Sequence, residues 1–164
     1  MLRDAAPRAP VAAFTLGSGL AHLADALEEP VRVPFTELPG LPAAGAPGHG
    51  GGAFVFGRLE GVPVVLQAGR IHAYEGVPLE TVVAPVRILA AAGVPVLVLT
   101  NASGGIRPGL EPGDLLLVED HLGLAFRAPL AGPVRPGETR FPDMSAPYDA
   151  ELRALIRDVA AGER

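Results

Sequence analysis

AFVFGRLEGVPVVLQAGRIHAYEG, residues 53–76, carries both the fold signal and the chemistry of this chain in one run. Two apolar segments, AFVFGRL at 53–59 and VPVVLQA at 62–68, flank the dipeptide Glu60-Gly61. A two-residue break ending in Gly between β-prone runs marks a tight turn, so both segments are expected as strands of an antiparallel hairpin. The second strand runs directly into Gly69-Arg70-Ile71-His72-Ala73-Tyr74-Glu75-Gly76. If that loop stays extended, alternation sends Arg70, His72 and Tyr74 to the same side. Arg offers a planar fork for an oxyanion, His an adjustable donor, and Tyr a flat face with a hydroxyl for a sugar. The plainer alternative, an exposed polar turn with a surface ion pair, explains such clustering less well.

Working outward, VAAFTLG at 11–17 reads as a buried strand that enters GSGL at 17–20. A helical stretch, AHLADALEE at 21–29, follows and is closed by Pro30; residues 34–52 are rich in Pro and Gly and end in PGHGGG. Leu79, Val82, Val83, Val86, Leu89 and Ala90 recur at helical spacing, and Gly93 is the natural stop for a helix from Leu79 to Ala92. VPVLVLT at 94–100 is expected as a strand covered on both faces, and GDLLLVEDH at 113–121 as another buried strand. An irregular stretch to Pro142 leads to a final helix carrying Leu152, Leu155, Ile156 and Val159 on one face. This order predicts an α/β fold around a mixed sheet, as a single domain over 1–164 with a loose arm at 1–10.

Three further loops hold what an anion or sugar site needs. Gly17-Ser18-Gly19 joins a strand to a helix, where glycines let backbone approach a ligand and Ser18 adds a hydroxyl; alone it reads first as a capped turn. His49 sits among glycines in PGHGGG, as an exposed loop or as a mobile loop lowering an imidazole onto an anion. Thr100-Asn101-Ala102-Ser103-Gly104-Gly105 leaves the strand before it with small residues and open N–H groups, equally suited to a turn or to gripping oxygen atoms.

Composition bounds the alternatives. The 164 residues are 49% hydrophobic and 19% charged, with 21 Gly and 18 Pro, which suits a folded chain of short elements and functional loops. The net charge is −5 and every basic residue is Arg, a poor balance for nucleic-acid binding. Without cysteine, thiolate chemistry and disulfides are excluded. No apolar run reaches the roughly 20 residues of a membrane span, and the N-terminus lacks a signal-peptide core, so a cytoplasmic protein is expected. His22, His49, His72 and His121 lack the spacing of a metal centre, and Asp120-His121 reads as a strand-end polar pair; no metal is expected. GSGL is neither a GxSxG nucleophile elbow nor a full dinucleotide fingerprint.

Taken in order, GSGL at 17–20, PGH at 47–49, GRIHAYEG at 69–76, TNASGG at 100–105, GDLLLVEDH at 113–121 and RFPDMS at 140–145 resemble the trimeric class of purine nucleoside phosphorylases. The resemblance spans about Phe14 to Asp149, and GRxHxYEG is its most specific motif. It implies a mixed, partly closed β-sheet flanked by helices, and phosphorolysis of purine nucleosides through an oxocarbenium-like transition state. It assigns phosphate to Ser18, Arg70, His72 and the backbone at Ala102, with His49 closing over it. His72 and His49 would act in catalysis, and Tyr74 would line the ribose. Phe141 would reach the neighbouring subunit's ribose site in a homotrimer. No cofactor is implied, since inorganic phosphate is a substrate. Gly123 stands where this family usually has Asn, and the family's base-recognising Glu and Asn match nothing in 1–164. The base-binding residues are therefore unassigned, and a truncated chain is expected to be prone to aggregation. Methylthioadenosine phosphorylase, and a catalytically incomplete phosphate-binding remnant of the family, are the alternative readings.

Overall fold

The computed structural model describes residues 8–44 and 51–162, so most of the expected 1–10 arm, and the PGH loop with His49, lie outside the described residues. The chain divides into two compact units, Met1–Ser103 and Gly104–Arg164.

The first unit is built on a five-stranded mixed sheet of order β2-β3-β4-β1-β5. Its strands are β1 (Ala12–Thr15), β2 (Glu28–Pro34), β3 (Ala53–Leu59), β4 (Val62–Ala68) and β5 (Leu97–Leu99). The predicted hairpin is β3–β4, antiparallel from Ala53↔Ala68 to Leu59↔Val62. Glu60 and Gly61 both take positive φ, 49° and 78°, as a turn matching the twist of the strands requires. β1 lies parallel to both β4 and β5, so three adjacent strands end in the same direction.

Alternation divides the core between the two sheet faces. Ala13, Phe54, Phe56 and Val65 join Phe35, Leu38, Leu41, Ile71 and Leu89 on one face. Leu16, Val55, Val64, Leu66 and Ala68 pack with Ala24 and Leu27 on the other. The helix α1 (Leu79–Ala91) covers the first face through buried Pro85 and Leu89, with Val82, Ala84 and Ile88 beside them. Ala90, expected on that face, is exposed. Gly93 ends the helix with φ 82° as anticipated.

Several expectations are corrected. AHLADALEE does not form one helix: a 3-10 turn covers Ala21–Ala26, and Glu28 and Glu29 enter β2. Pro30 and Pro34 are tolerated because β2 is an edge strand, and a register shift between Glu28 and Val31 absorbs the irregularity. Of 94–100 only Leu97–Leu99 is strand, and it is the opposite edge of the sheet, with Leu97 and Leu99 exposed rather than covered on both faces. GDLLLVEDH at 113–121 is not a strand; Leu115 is 97% exposed. A strand needs a hydrogen-bonded neighbour, and among the described residues of the second unit there is none. The sheet is open, not closed on itself.

The regular element of the second unit is α2 (Ala150–Gly162). Asp149 caps it, its carboxylate accepting the Leu152 N–H at 2.9 Å. Leu152, Leu155, Ile156 and Val159 form the expected apolar face, and all four are exposed. Arg157 pairs with Glu119, and the Tyr148 hydroxyl lies 3.2 Å from His121 Nδ1, tying the 119–121 segment to the helix region. No helix among the described residues is long and apolar enough to cross a membrane.

Candidate active site

The parallel trio β4-β1-β5 places three loops side by side at its C-terminal edge, the usual ligand-binding edge of a parallel α/β sheet. Gly17-Ser18 leaves β1, Gly69-Arg70 leaves β4, and Thr100 to Ser103 leaves β5. Strands in one sheet lie about 4.8 Å apart, so the loops are close enough to surround a single small anion.

The β4 loop carries a turn, a cap and a core contact of its own. Gly69 turns the chain with φ 92°, and Ile71 drops into the core while its neighbours Arg70 and His72 stay half-buried. The Arg70 Nε is buried with no hydrogen-bond partner among the described residues. A buried donor without an acceptor costs stability unless a ligand supplies one, which makes this guanidinium a candidate anion-binding group.

Extended alternation stops at His72. Residues Ala73–Glu75 form a 3-10 turn ended by Gly76 at φ 79°, so Tyr74 does not continue the Arg70–His72 side as strand geometry predicted. Instead its ring, 75% exposed, stacks on the His72 ring with centroids 4.7 Å apart and 15° between planes. His72 and Glu75 form a reciprocal cap. The Glu75 carboxylate accepts the His72 N–H at 2.7 Å, and the His72 side chain accepts the Glu75 N–H. The ring nitrogen that accepts carries no proton, so a neutral His72 holds its proton on the other nitrogen and presents a donor there.

The β1 loop is anchored to the β5 loop. The Gly17 N–H donates to the Thr100 hydroxyl at 2.8 Å, and that hydroxyl donates to the Thr15 carbonyl at 2.8 Å. Ser18 is exposed at the tip. The 3-10 turn behind it, six residues long, replaces the helix N-terminus expected to supply donors. In the β5 loop Asn101 donates to the Ala102 carbonyl at 3.1 Å and to the Ser103 hydroxyl at 2.7 Å, and Ala102 is exposed.

The fold thus gathers Ser18, Arg70, His72, Tyr74 and Ala102 at one edge. Phe141 belongs to the second unit, where its ring is 86% exposed, and His49 lies outside the described residues. His22 is exposed and bonded to the Gly19 carbonyl at 2.9 Å. Among the described residues no cluster of His, Asp or Glu has the arrangement of a metal site. Sequence reasoning missed Thr15 and Gln67, the bonds by which Thr100 knits the loops together, and the capping part of Glu75. The signals were a polar residue near the end of each apolar strand, and the His-x-x-Glu spacing of a capping box.

Comparison with known proteins places the fold in a family. The family model described as the phosphorylase superfamily matches residues 12–164. Purine nucleoside phosphorylase 1 of Geobacillus stearothermophilus is 42% identical over 160 residues, covering 97% of this chain and 58% of the relative. The Bos taurus purine nucleoside phosphorylase is 42% identical over 149 residues, covering 88% of this chain and 51% of its own length. Among solved structures, a schistosoma purine nucleoside phosphorylase in complex with hypoxanthine superposes with a TM-score of 0.88 at 35% identity, covering 99% of this chain and 58% of that one. A purine nucleoside phosphorylase in complex with ribose-1-phosphate gives a TM-score of 0.89 at 36% identity, covering 99% of this chain and 61% of that one. The chain therefore spans between half and three-fifths of the length of these relatives. The match over nearly all described residues, together with the shared mixed sheet, makes this chain a member of the phosphorylase superfamily.

Proposed function

We propose that this chain carries the phosphate- and ribose-binding portion of a purine nucleoside phosphorylase, which splits a purine nucleoside with inorganic phosphate into free base and ribose 1-phosphate. The observation that carries the reading is the convergence of the Ser18, Arg70–His72 and Ala102 loops beside a buried, unpartnered Arg70 Nε. Arg70 engages phosphate oxygens through its planar fork, His72 donates from its protonated nitrogen, and Ser18 with the Ala102 N–H completes the shell. Tyr74 offers its exposed ring to the ribose, and His49 closes over the anion.

In the reaction the glycosidic bond breaks first, leaving an oxocarbenium-like ribosyl cation, and its electron pair departs with the base. Phosphate then bonds to the anomeric carbon from the opposite face, with inversion. The site contributes by holding a dianion beneath the developing positive charge in a fixed position. No cofactor enters, phosphate being a substrate. A homotrimer, in which Phe141 enters the neighbouring ribose site, and a cytoplasmic location complete the proposal.

The test is phosphate-dependent release of hypoxanthine from inosine by the purified chain, beside Arg70→Ala and His72→Ala. Turnover that requires phosphate and is lost in both variants is the expected result. Release from methylthioadenosine in place of inosine would transfer the assignment to the methylthioadenosine enzymes. Phosphate-dependent thermal stabilisation without turnover would make the chain a phosphate-binding member that does not complete the reaction.

A further inference from the structure

Thr15 and Gln67 are the buried polar side chains among the described residues, 5% and 3% exposed, in strands otherwise filled with apolar groups. They are register partners at the ends of β1 and β4, each two residues before a phosphate-loop residue or its flanking glycine. The Thr15 hydroxyl donates to Gln67 Oε1 at 3.1 Å, and Gln67 Nε2 donates to the Gly69 carbonyl at 3.2 Å. On the other side, the Thr15 carbonyl accepts both the Thr100 N–H at 3.1 Å and the Thr100 hydroxyl at 2.8 Å, and that hydroxyl holds the Gly17 N–H. One relay therefore joins the first residue of all three loops.

Apolar side chains would fill these positions without the desolvation cost of buried polar atoms, so the hydrogen bonds serve something beyond packing. The relay is attached to what must be held in place: Gly17 beside Ser18, Gly69 beside Arg70, and Thr100 two residues before Ala102. An anion gripped from three loops needs their donors held within about 0.5 Å of the productive arrangement. We propose that Thr15, Gln67 and Thr100 are positioning residues that set the spacing of the three phosphate loops. This inference rests on the phosphate site described above.

The test uses the full chain with inorganic phosphate as the probe, its dissociation constant measured by calorimetry. Thr15→Val and Thr100→Val are expected to raise that constant roughly tenfold or more, whereas Thr15→Ser and Thr100→Ser stay within about twofold. Leu59→Ala, which loosens the core at the hairpin-turn end of β3, is expected to lower the melting temperature and leave phosphate affinity unchanged. Independently of any variant, phosphate should slow amide exchange at Gly17, because the relay couples that amide to the Arg70 loop. Wild-type binding that depends on Arg70, with unchanged affinity in folded Thr15→Val or unchanged Gly17 exchange, overturns the positioning role alone. No phosphate binding by wild type overturns both the site and the relay.

Discussion

A side chain on Gly17 would place its Cβ 2.8 Å from the Asn101 Cα and 2.9 Å from the Thr100 carbonyl oxygen, both of them backbone atoms that cannot swing away. The β1 and β5 loops touch through this gap. Gly17→Ala is expected to force them apart and break the Gly17–Thr100 bond, costing roughly 3 kcal/mol, the upper end for overpacking. Denaturant unfolding measures the loss, and phosphate affinity should fall with it.

The His72–Glu75 cap fixes the His72 ring. Glu75→Ala removes the acceptor for the His72 N–H and should cost about 1 kcal/mol, as a lost cap does. Glu75→Gln, which keeps an acceptor oxygen, should recover most of it. Nitrogen chemical shifts of the His72 imidazole at neutral pH are expected to show one dominant tautomer in wild type.

Phe54 is fully buried, its ring 5.1 Å from that of Phe35 and tilted by 59°. Phe54→Ala should destabilise the first unit by about 3–5 kcal/mol. Arg32→Ala, on the exposed side of the edge strand, should stay within about 0.5 kcal/mol. Urea midpoints distinguish the two.

Asp143 in RFPDMS accepts hydrogen bonds from the Ser145 hydroxyl and, at 2.9 Å, from the Ser145 N–H. The hydroxyl first and the backbone second hold its carboxyl below the ordinary value of 3.8. Because the folded value is depressed, the turn keeps its full stabilisation above the ordinary value and loses it as pH falls through the lowered one. A carboxyl titration by NMR should place Asp143 below 3.8, and Ser145→Ala should move it back up.

Residues 113–121 are expected to exchange their amides within seconds, whereas Val64–Ala68 of the central strand should stay protected far longer. The exposed Leu115 and the apolar face of α2 should also bind a hydrophobic dye. Slow exchange across 113–121 in solution would mean that this segment is paired.

The hairpin and α1 were legible because local chemistry decides them: Glu60-Gly61 is a turn whatever surrounds it, and Gly93 is a helix stop. β2 was hidden because Ala-Leu-Glu-Glu favours helix locally, while pairing with β3 overrides that preference. The segment 113–121 shows the converse, strand-like residues without a partner strand. In the site, Arg70 and His72 stood out by clustering of residue types. Thr15 and Gln67 did not, since a single polar residue near a strand end carries no periodicity. Tyr74 was misplaced by one assumption, that the loop after β4 stays extended, which the cap at His72 ends.

The strand order has a consequence for how the site comes into being. The Thr15–Gln67 bond closes a separation of 52 residues and the Thr100–Thr15 bond one of 85. Contacts so distant along the chain are slow to form. β1 is made early during synthesis, yet it is the central strand of the parallel trio and has no neighbour on either side until β4 and then β5 emerge. The β3–β4 hairpin, closed by its own turn, can form first and offer β1 an edge. The three loops at the parallel edge therefore come together late in folding, and a nascent chain shorter than about 100 residues holds the hairpin but not the joined loops.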